Sequence, residues 1–554
     1  MKFAEVYPLK RFPRRFRAFD YSVPEGTVVG RGDFVMVPLR GWSVVGIVAA
    51  LKDTPPVGID PKPVERALGA SLTGRELDAY ESLAADLVQS PSSVMHAVLP
   101  VPPKRTKPSV FDSEVAQTRG AVSGQPAAVK ASGPSPGLRI RTQDAPDITE
   151  AVRFITDLPA SFVRSPDLRH GAALIATYRR ACPGPIRIAA PNVRDARLLH
   201  AALGGEILTG EESNGSRFAA WQGFRSTKDG LLIGTRLVSM LEHPLGSTLF
   251  LVRSGHENHR QADRNPRYDA RRAAVRWNAS GDRIVFLDAF PRPDDLHLFP
   301  DSLRCPALDP IRAIAMTGRE SWPHAFISPP VFEGVQDAME TGGRVLLAFN
   351  RKGMARVLSC QGCGWTVPLA GAAPPRFCDS CHSSDLHERG FGTRAIRKAL
   401  QGAFPDATVA VCEKGEGATD ARIVIATKHY LENAFDPFDP EPFAMVADLD
   451  ADAGLADRSQ RAVERTLCTA AQWQAVARAA RAPFLIQTAR PELFVRAFHD
   501  PVRILREELE TRRAYGLEPF VRWITVDGVE QPLSDSSSLS ALPDSVVIDT
   551  NAFL

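Results

Sequence analysis

Short apolar runs separated by turn residues fill the first hundred positions. Asp33-Phe34-Val35-Met36-Val37-Pro38 and Val44-Val45-Gly46-Ile47-Val48 alternate with Val23-Pro24-Glu25-Gly26, Gly30 and Gly32. This spacing predicts a small β-rich domain over 1–104, closed by a helix near 73–90. Between 105 and 150 the periodicity gives way to Pro, Ser, Gly and Ala around Ser132-Gly133-Pro134-Ser135-Pro136-Gly137, the composition of a flexible linker or a degraded domain. From about 151 to 485, runs such as Ile186-Arg187-Ile188-Ala189-Ala190, Leu231-Leu232-Ile233, Thr248-Leu249-Phe250-Leu251-Val252, Arg344-Val345-Leu346-Leu347-Ala348-Phe349 and Ile423-Val424-Ile425 alternate with helical stretches. That is an α/β pattern with parallel sheets, and so many residues call for two cores. A cysteine-bearing insert interrupts the second at about 358–390, and strands return after a charged helix around 506–513. The expected fold is multidomain α/β: a β-rich N-terminal domain, two α/β lobes, a zinc-ribbon insertion and a small α+β C-terminal domain.

Composition narrows the function classes. The 554 residues suit three or four domains, with 44% hydrophobic and 24% charged residues, and no apolar run is long enough to span a membrane. The opening Met1-Lys2-Phe3-Ala4-Glu5 lacks the apolar core of a secretory signal, so a cytoplasmic location and no membrane partner are expected. A net charge of only +3 confines any nucleic-acid contact to local patches. One such patch interleaves Lys10, Arg11, Arg14, Arg15 and Arg17 with Phe12, Phe16 and Phe19, setting phosphate neutralisation beside stacking surfaces. The same run also reads as a solvated basic loop whose aromatics plug the domain core.

Cys360-Gln361-Gly362-Cys363 and Cys378-Asp379-Ser380-Cys381 form C-x2-C-x14-C-x2-C, two turns that can each present two thiolates to one tetrahedral Zn²⁺. Four thiolates leave no open position for a catalytic water, so one structural zinc is expected, with His382 and His387 as bystanders. Cys182, Cys305, Cys412 and Cys468 are isolated and read as small apolar residues.

Around this ribbon the sequence resembles one family, the PriA or primosomal protein N′ replication-restart helicases. Leu347-Ala348-Phe349-Asn350-Arg351-Lys352-Gly353 before it, Cys363-Gly364-Trp365 within it and Gly390-Phe391-Gly392-Thr393 after it carry the likeness. So do Tyr515-Gly516-Leu517-Glu518-Pro519-Phe520 and Val547-Ile548-Asp549 near the end, so that neither a fragment nor a fusion is expected. The family insert holds eight cysteines for two zincs; here four imply one. Phe19-Asp20-Tyr21-Ser22-Val23-Pro24 resembles the family's 3′-end-binding turn, which implies that Asp20 accepts the terminal 3′-hydroxyl while Phe19 and Tyr21 shape the pocket beside Arg14, Arg15 and Arg17. The family's winged helix has no counterpart in the 105–150 linker. By the same resemblance 151–300 and 301–504 are degenerate RecA-like helicase lobes and 505–554 the C-terminal domain.

The nucleotide motifs break down. A P-loop needs glycines, a lysine and a Ser/Thr in G-x-x-x-x-G-K-[ST]. At its place stands Phe162-Val163-Arg164-Ser165-Pro166-Asp167-Leu168-Arg169-His170. Pro266-Arg267-Tyr268-Asp269-Ala270-Arg271 fixes the register upstream, where the family's Asp-Glu-Glu-His falls on Arg253-Ser254-Gly255-His256: the metal ligand has become a cation and the water-orienting glutamate a glycine. Asp288-Ala289-Phe290-Pro291 and Ile425-Ala426-Thr427-Lys428 replace two further motifs, and Arg478 and Arg481 resemble the arginine-finger segment without its glycines. The resemblance therefore implies a replication-restart protein that binds forked or branched DNA with a 3′ end and meets primosome and helicase-loading proteins, with single-stranded DNA-binding protein a further expected partner. The broken motifs argue against catalytic residues, ATP or Mg²⁺. Two alternatives stay open: an ATP-dependent 3′–5′ helicase with a cryptic nucleotide site, and a protein-interaction scaffold without DNA binding.

Overall fold

The computed structural model describes residues 2–103, 146–261, 268–317, 326–350, 356–413, 420–521 and 523–532, apart from short gaps at 56–57, 59, 88, 280, 364–365, 370–374, 390–391, 458 and 527–528. Most of the 105–150 linker, the residues 351–353, Gly364-Trp365, Gly390-Phe391, Pro266-Arg267 and Val547-Ile548-Asp549 lie outside them. No helix among the described residues is long and apolar enough to cross a membrane.

Strands β1 (Lys2–Pro8), β2 (Phe19–Val23), β3 (Asp33–Leu39), β4 (Trp42–Lys52) and β5 (Arg66–Ser71) form an antiparallel sheet in the order β2-β1-β4-β3-β5. The central β4 is buried on both faces, which explains its unbroken apolar run. Alternate residues part to opposite sides: Val44 and Val48 join Ala4, Val6, Tyr21 and Val35, whereas Val45 and Ile47 join Phe34 and Met36. The second cluster does not end within the domain. It continues through helices Gly74–Asp86 and Pro91–Val98 into Trp221, Phe224 and Trp277 of the next unit.

That unit is a seven-stranded sheet built from β6 (Ala160–Arg164), β7 (Ile186–Ala189), β8 (Glu206–Leu208), β9 (Leu231–Gly234), β10 (Thr248–Val252), β13 (Arg283–Asp288) and β14 (Leu303–Arg304), in the order β14-β6-β13-β10-β7-β9-β8. A separate hairpin pairs β11 (Arg260–Gln261) with β12 (Tyr268–Asp269). Every strand pairing within the seven-stranded sheet is parallel, and apolar clusters cover both of its faces. The second lobe repeats the plan with β15 (Arg312–Ala315), β16 (Val345–Ala348), β20 (Val409–Cys412), β21 (Ile423–Ala426), β22 (Met445–Asp448) and β23 (Phe484–Thr488), parallel throughout in the order β15-β23-β22-β16-β21-β20. Both lobes are parallel sheets with apolar cores on either face. Between β16 and β20, an antiparallel ribbon of β17 (Arg356–Cys360), β18 (Thr366–Leu369) and β19 (Leu386–Arg389) carries the cysteines. A hairpin of β24 (Trp523–Val526) and β25 (Val529–Pro532) follows the last helix.

The boundaries differ from those expected at three points. Helix Pro146–Thr156 begins inside the expected linker because Ile148, Ala151, Val152 and Ile155 pack under the first sheet. The short β14 lies past residue 300 yet pairs with β6 in the first lobe. Helix Pro501–Ala514 straddles the expected start of the C-terminal domain and packs Ile504 and Leu505 into the second lobe's core.

Buried charge accompanies the shared core at the first junction. Arg225 donates to Glu76 at 2.8 Å, and that same glutamate closes the capping box of helix Gly74–Asp86 with Thr73. Arg75 reaches across to Glu242 at 2.9 Å and Asp282 at 3.1 Å, and Asp282 also pairs with the buried Arg187. Burial, the largest influence on Glu242, outweighs Arg75 and pushes its carboxyl up to about 7. Trp221 sits at the hub with no exposed surface, edge-on to Phe34 at 6.3 Å and beneath Arg225. Replacing Trp221 by Ala is expected to cost about 3–5 kcal/mol and to make the connection between the N-terminal domain and the first lobe accessible to protease. Chemical denaturation and limited proteolysis would read the two effects, and an unchanged denaturation midpoint would contradict the shared core.

Candidate nucleic-acid interface, zinc ribbon and interlobe cleft

The basic loop of residues 9–18 is held against helix Pro91–Val98. Phe12 donates its amide to Ser93 Oγ at 2.9 Å, and Ser93 returns a hydrogen bond to Phe12 O at 3.0 Å. Phe12 and Phe16 stack at 4.1 Å and Phe19 closes on Phe16 at 4.8 Å, giving a half-buried aromatic cluster with Arg11, Arg15 and Arg17 exposed around it and Arg14 partly covered. Strand alternation then separates the Phe-Asp-Tyr residues. Tyr21 points into the domain core and donates its hydroxyl to Pro38 O at 3.1 Å, while Phe19 remains 38% exposed. Asp20 takes the opposite face, across from Glu5, where Lys52 lies 3.3 Å from it. Tyr21 thus shapes this region from beneath instead of sharing a surface with Asp20.

In the ribbon, Cys360 and Cys378 are buried and Cys363 and Cys381 exposed. Their four sulfurs lie within 4.8 Å of one another, with Cys360 to Cys381 at 3.5 Å and Cys363 to Cys378 at 3.6 Å. A tetrahedron with Zn–S bonds of about 2.3 Å has edges of about 3.8 Å, so this cluster could bind one zinc ion. Ser380 donates its amide to Cys378 Sγ at 3.4 Å, as a thiolate ligand would favour. His382 is exposed and stands outside the sulfur cluster.

The carboxyl ends of the parallel strands are where such sheets bind ligands, and here they open into the cleft between the lobes. After β6 the chain makes only the short turn Ser165-Pro166-Asp167 before helix Leu168–Ala181. Asp167 caps the helix itself by accepting from His170 N at 2.8 Å. Arg253 follows β10 in a left-handed conformation with φ of 50°. It donates to Asp195 at 2.8 Å in its own lobe and to Glu432 at 2.6 Å in the other. His256 lies 3.0 Å from the same Glu432. Burial is the largest influence on Arg253 and opposes its charge, but the two carboxylates outweigh it and raise the guanidinium above its ordinary range. Burial likewise opposes the charge on Glu432, and His256 and Arg253 prevail, holding it down at about 2. Gly255 has no room for a side chain: a Cβ there would stand 2.8 Å from both Arg292 Nε and Asp288 Oδ2. The cleft is lined by Ser165, Asp167, Asp195 and Arg253 of the first lobe and by Leu431 and Gln472 of the second. Arg478 and Arg481 are absent from its lining; both are exposed at the end of helix Ala462–Ala480, Arg478 lying 4.0 Å from Asp309.

Asp195, Glu432 and Asp167 were not anticipated from sequence. The inverted charge at Arg253 was the available signal, since a buried guanidinium requires carboxylates, but nothing local names partners 58 and 179 positions away. A second charged cluster was equally silent: Arg512 pairs with Glu464 at 3.1 Å and Asp294 at 3.6 Å, and Arg461 with Glu518 at 3.1 Å, joining both lobes to the segment beyond them.

These features define a small β-rich domain packed against the first of two parallel-sheet α/β lobes, the second bearing a four-cysteine ribbon. Residues 11–100 match the family model of the PriA 3′ DNA-binding domain. The chain is related to the replication restart protein PriA: it is 25% identical to that of Treponema pallidum over 59% of this chain and 55% of the relative, and 24% identical to that of Haemophilus influenzae over 57% and 49%. It therefore spans about half the length of these curated relatives, although the match to the Rickettsia felis protein, at 22% identity, covers 92% of this chain and 84% of that one. Among solved structures it is similar to RecG bound to a three-way DNA junction, with a TM-score of 0.36 and 11% identity over 68% of this chain and 48% of that one. It is also similar to the Escherichia coli DExH-box NTPase HrpB, with a TM-score of 0.34 and 13% identity over 64% and 42%.

Changing Cys378 to Ser is expected to release one equivalent of zinc from protein purified with the metal and to speed amide exchange across 356–389. Metal analysis beside exchange mass spectrometry reads both, and full zinc retention would rule out the four-thiolate assignment.

Proposed function

We propose that this chain binds stalled or branched DNA through a free 3′ end and serves replication restart as an ATP-independent scaffold on which primosome and helicase-loading proteins assemble. The matched 3′ DNA-binding domain carries this reading. Its support in the residues is an acceptor carboxylate, Asp20, on a strand that begins at the exposed Phe19 and follows directly on an arginine-bearing loop. In this reading Asp20 accepts the terminal 3′-hydroxyl, Phe19 stacks on the last base, and Arg14, Arg15 and Arg17 neutralise the adjoining phosphates. Tyr21 fixes the strand that bears Asp20.

The absence of turnover is supported by the cleft. Phosphoryl transfer needs a phosphate cradle, a metal ligand and a group that orients the attacking water. The turn after β6 is capped by its own Asp167, the metal-ligand position holds Arg253, and the water-orienting position is a glycine hemmed in by Asp288 and Arg292. One zinc held by Cys360, Cys363, Cys378 and Cys381 orders the ribbon and takes no part in chemistry.

Two measurements on one preparation test the reading. Changing Asp20 to Ala is expected to weaken binding to a fork with a recessed 3′-hydroxyl by about fivefold to tenfold, the worth of one hydrogen bond, while leaving duplex ends unaffected. Equal weakening on both substrates would count against the pocket. The wild-type protein is expected to release no phosphate from ATP with or without the fork; DNA-stimulated release would establish the helicase alternative, and fork binding indifferent to salt would favour a protein scaffold.

A further inference from the structure

We infer that the two lobes are latched in a closed arrangement by their own side chains, which occupy the positions that a nucleotide's phosphates and metal would otherwise bridge. This goes beyond the proposed function, since the N-terminal domain could hold a 3′ end whether the lobes were latched or free.

Three placements carry the inference. The helix that follows β6 presents its N-terminus to the cleft, and an anion bound there would be stabilised by the amides. That place is taken by the Asp167 carboxylate. At the end of β10, where the first lobe would hold a divalent cation, stands the cationic Arg253, already neutralised on its own side by Asp195. From the second lobe, helix Lys428–Asn433 sends Glu432 across the gap onto Arg253 and His256, an anion spanning the lobes as a terminal phosphate would. Beside this pair Arg194 of the first lobe donates to Phe435 O at 2.7 Å and Ala434 O at 3.3 Å, clasping the end of the same helix.

The arrangement is self-sufficient. Each charge in the bridge has its opposite within hydrogen-bond distance, and Arg253 is largely buried. In a nucleotide-driven motor, closure is bought by a ligand and lost on its release. Here the closing interaction is covalently part of the chain.

The test uses the full-length, zinc-loaded protein and hydrogen–deuterium exchange. In the wild type, amides of 253–259 and 428–435 are expected to exchange slowly and to be unaffected by Mg²⁺ with a non-hydrolysable ATP analogue. Glu432→Gln keeps the side-chain shape and removes its charge, and is expected to speed exchange in both segments by about tenfold, with the interiors of the two sheets unchanged. Arg194→Ala, which touches only the backbone clasp, is expected to accelerate 428–435 and, more weakly, 253–259. Unaltered exchange in Glu432→Gln, or protection of the wild-type segments by the analogue, would overturn the latch. Fork affinity measured on the same variants reports separately on the N-terminal domain and is expected to stay at the wild-type value.

Discussion

Arginine–carboxylate pairs withdrawn from water hold the modules of this protein in place. At the first junction Arg187 and Arg75 converge on Asp282, with Glu242 alongside; at the cleft Arg253 joins Asp195 to Glu432; beyond it Arg512 gathers Asp294, Glu464 and Glu508. Exposed ion pairs contribute little, but a desolvated charge left without its partner is strongly unfavourable, and that asymmetry makes such pairs specific about geometry. Each apolar core tolerates some sliding. A guanidinium with two carboxylates at fixed bearings does not.

The sheets of the two lobes and the turns that line the cleft between them are set by different interactions. The parallel sheets, their order and their covering helices survive because they are set by continuous apolar strands such as Leu231-Leu232-Ile233 and Ile423-Val424-Ile425. The turn after β6 and the one after β10 answer to different demands, those of whatever occupies the cleft. Once Asp167 caps its own helix and Arg253 finds Glu432, neither turn needs glycine-rich backbone. Gly255 is a glycine for a steric reason, since Asp288 and Arg292 close over it.

Strand spacing made the N-terminal sheet, the two parallel sheets and the ribbon legible, because periodicity and turn chemistry act over a few residues. The four cysteines were legible for the same reason, their pairs being local. What could not be read was anything depending on distant approach: that helices Gly74–Asp86 and Pro91–Val98 belong as much to the first lobe's core as to their own domain, or that Arg253 meets Glu432. Tyr21 shows a subtler limit. Its place beside Asp20 in sequence suggested a shared pocket, whereas the pleat sends the two side chains to opposite faces.

The continuity of the core through Phe34, Trp221 and Trp277 has a geometric corollary. A module hung on a tether samples many orientations, and any end it captures is free to swivel. One that shares buried aromatics with its neighbour has a single bearing. The Asp20 face consequently keeps one bearing relative to the first lobe, set by the packing of two tryptophans.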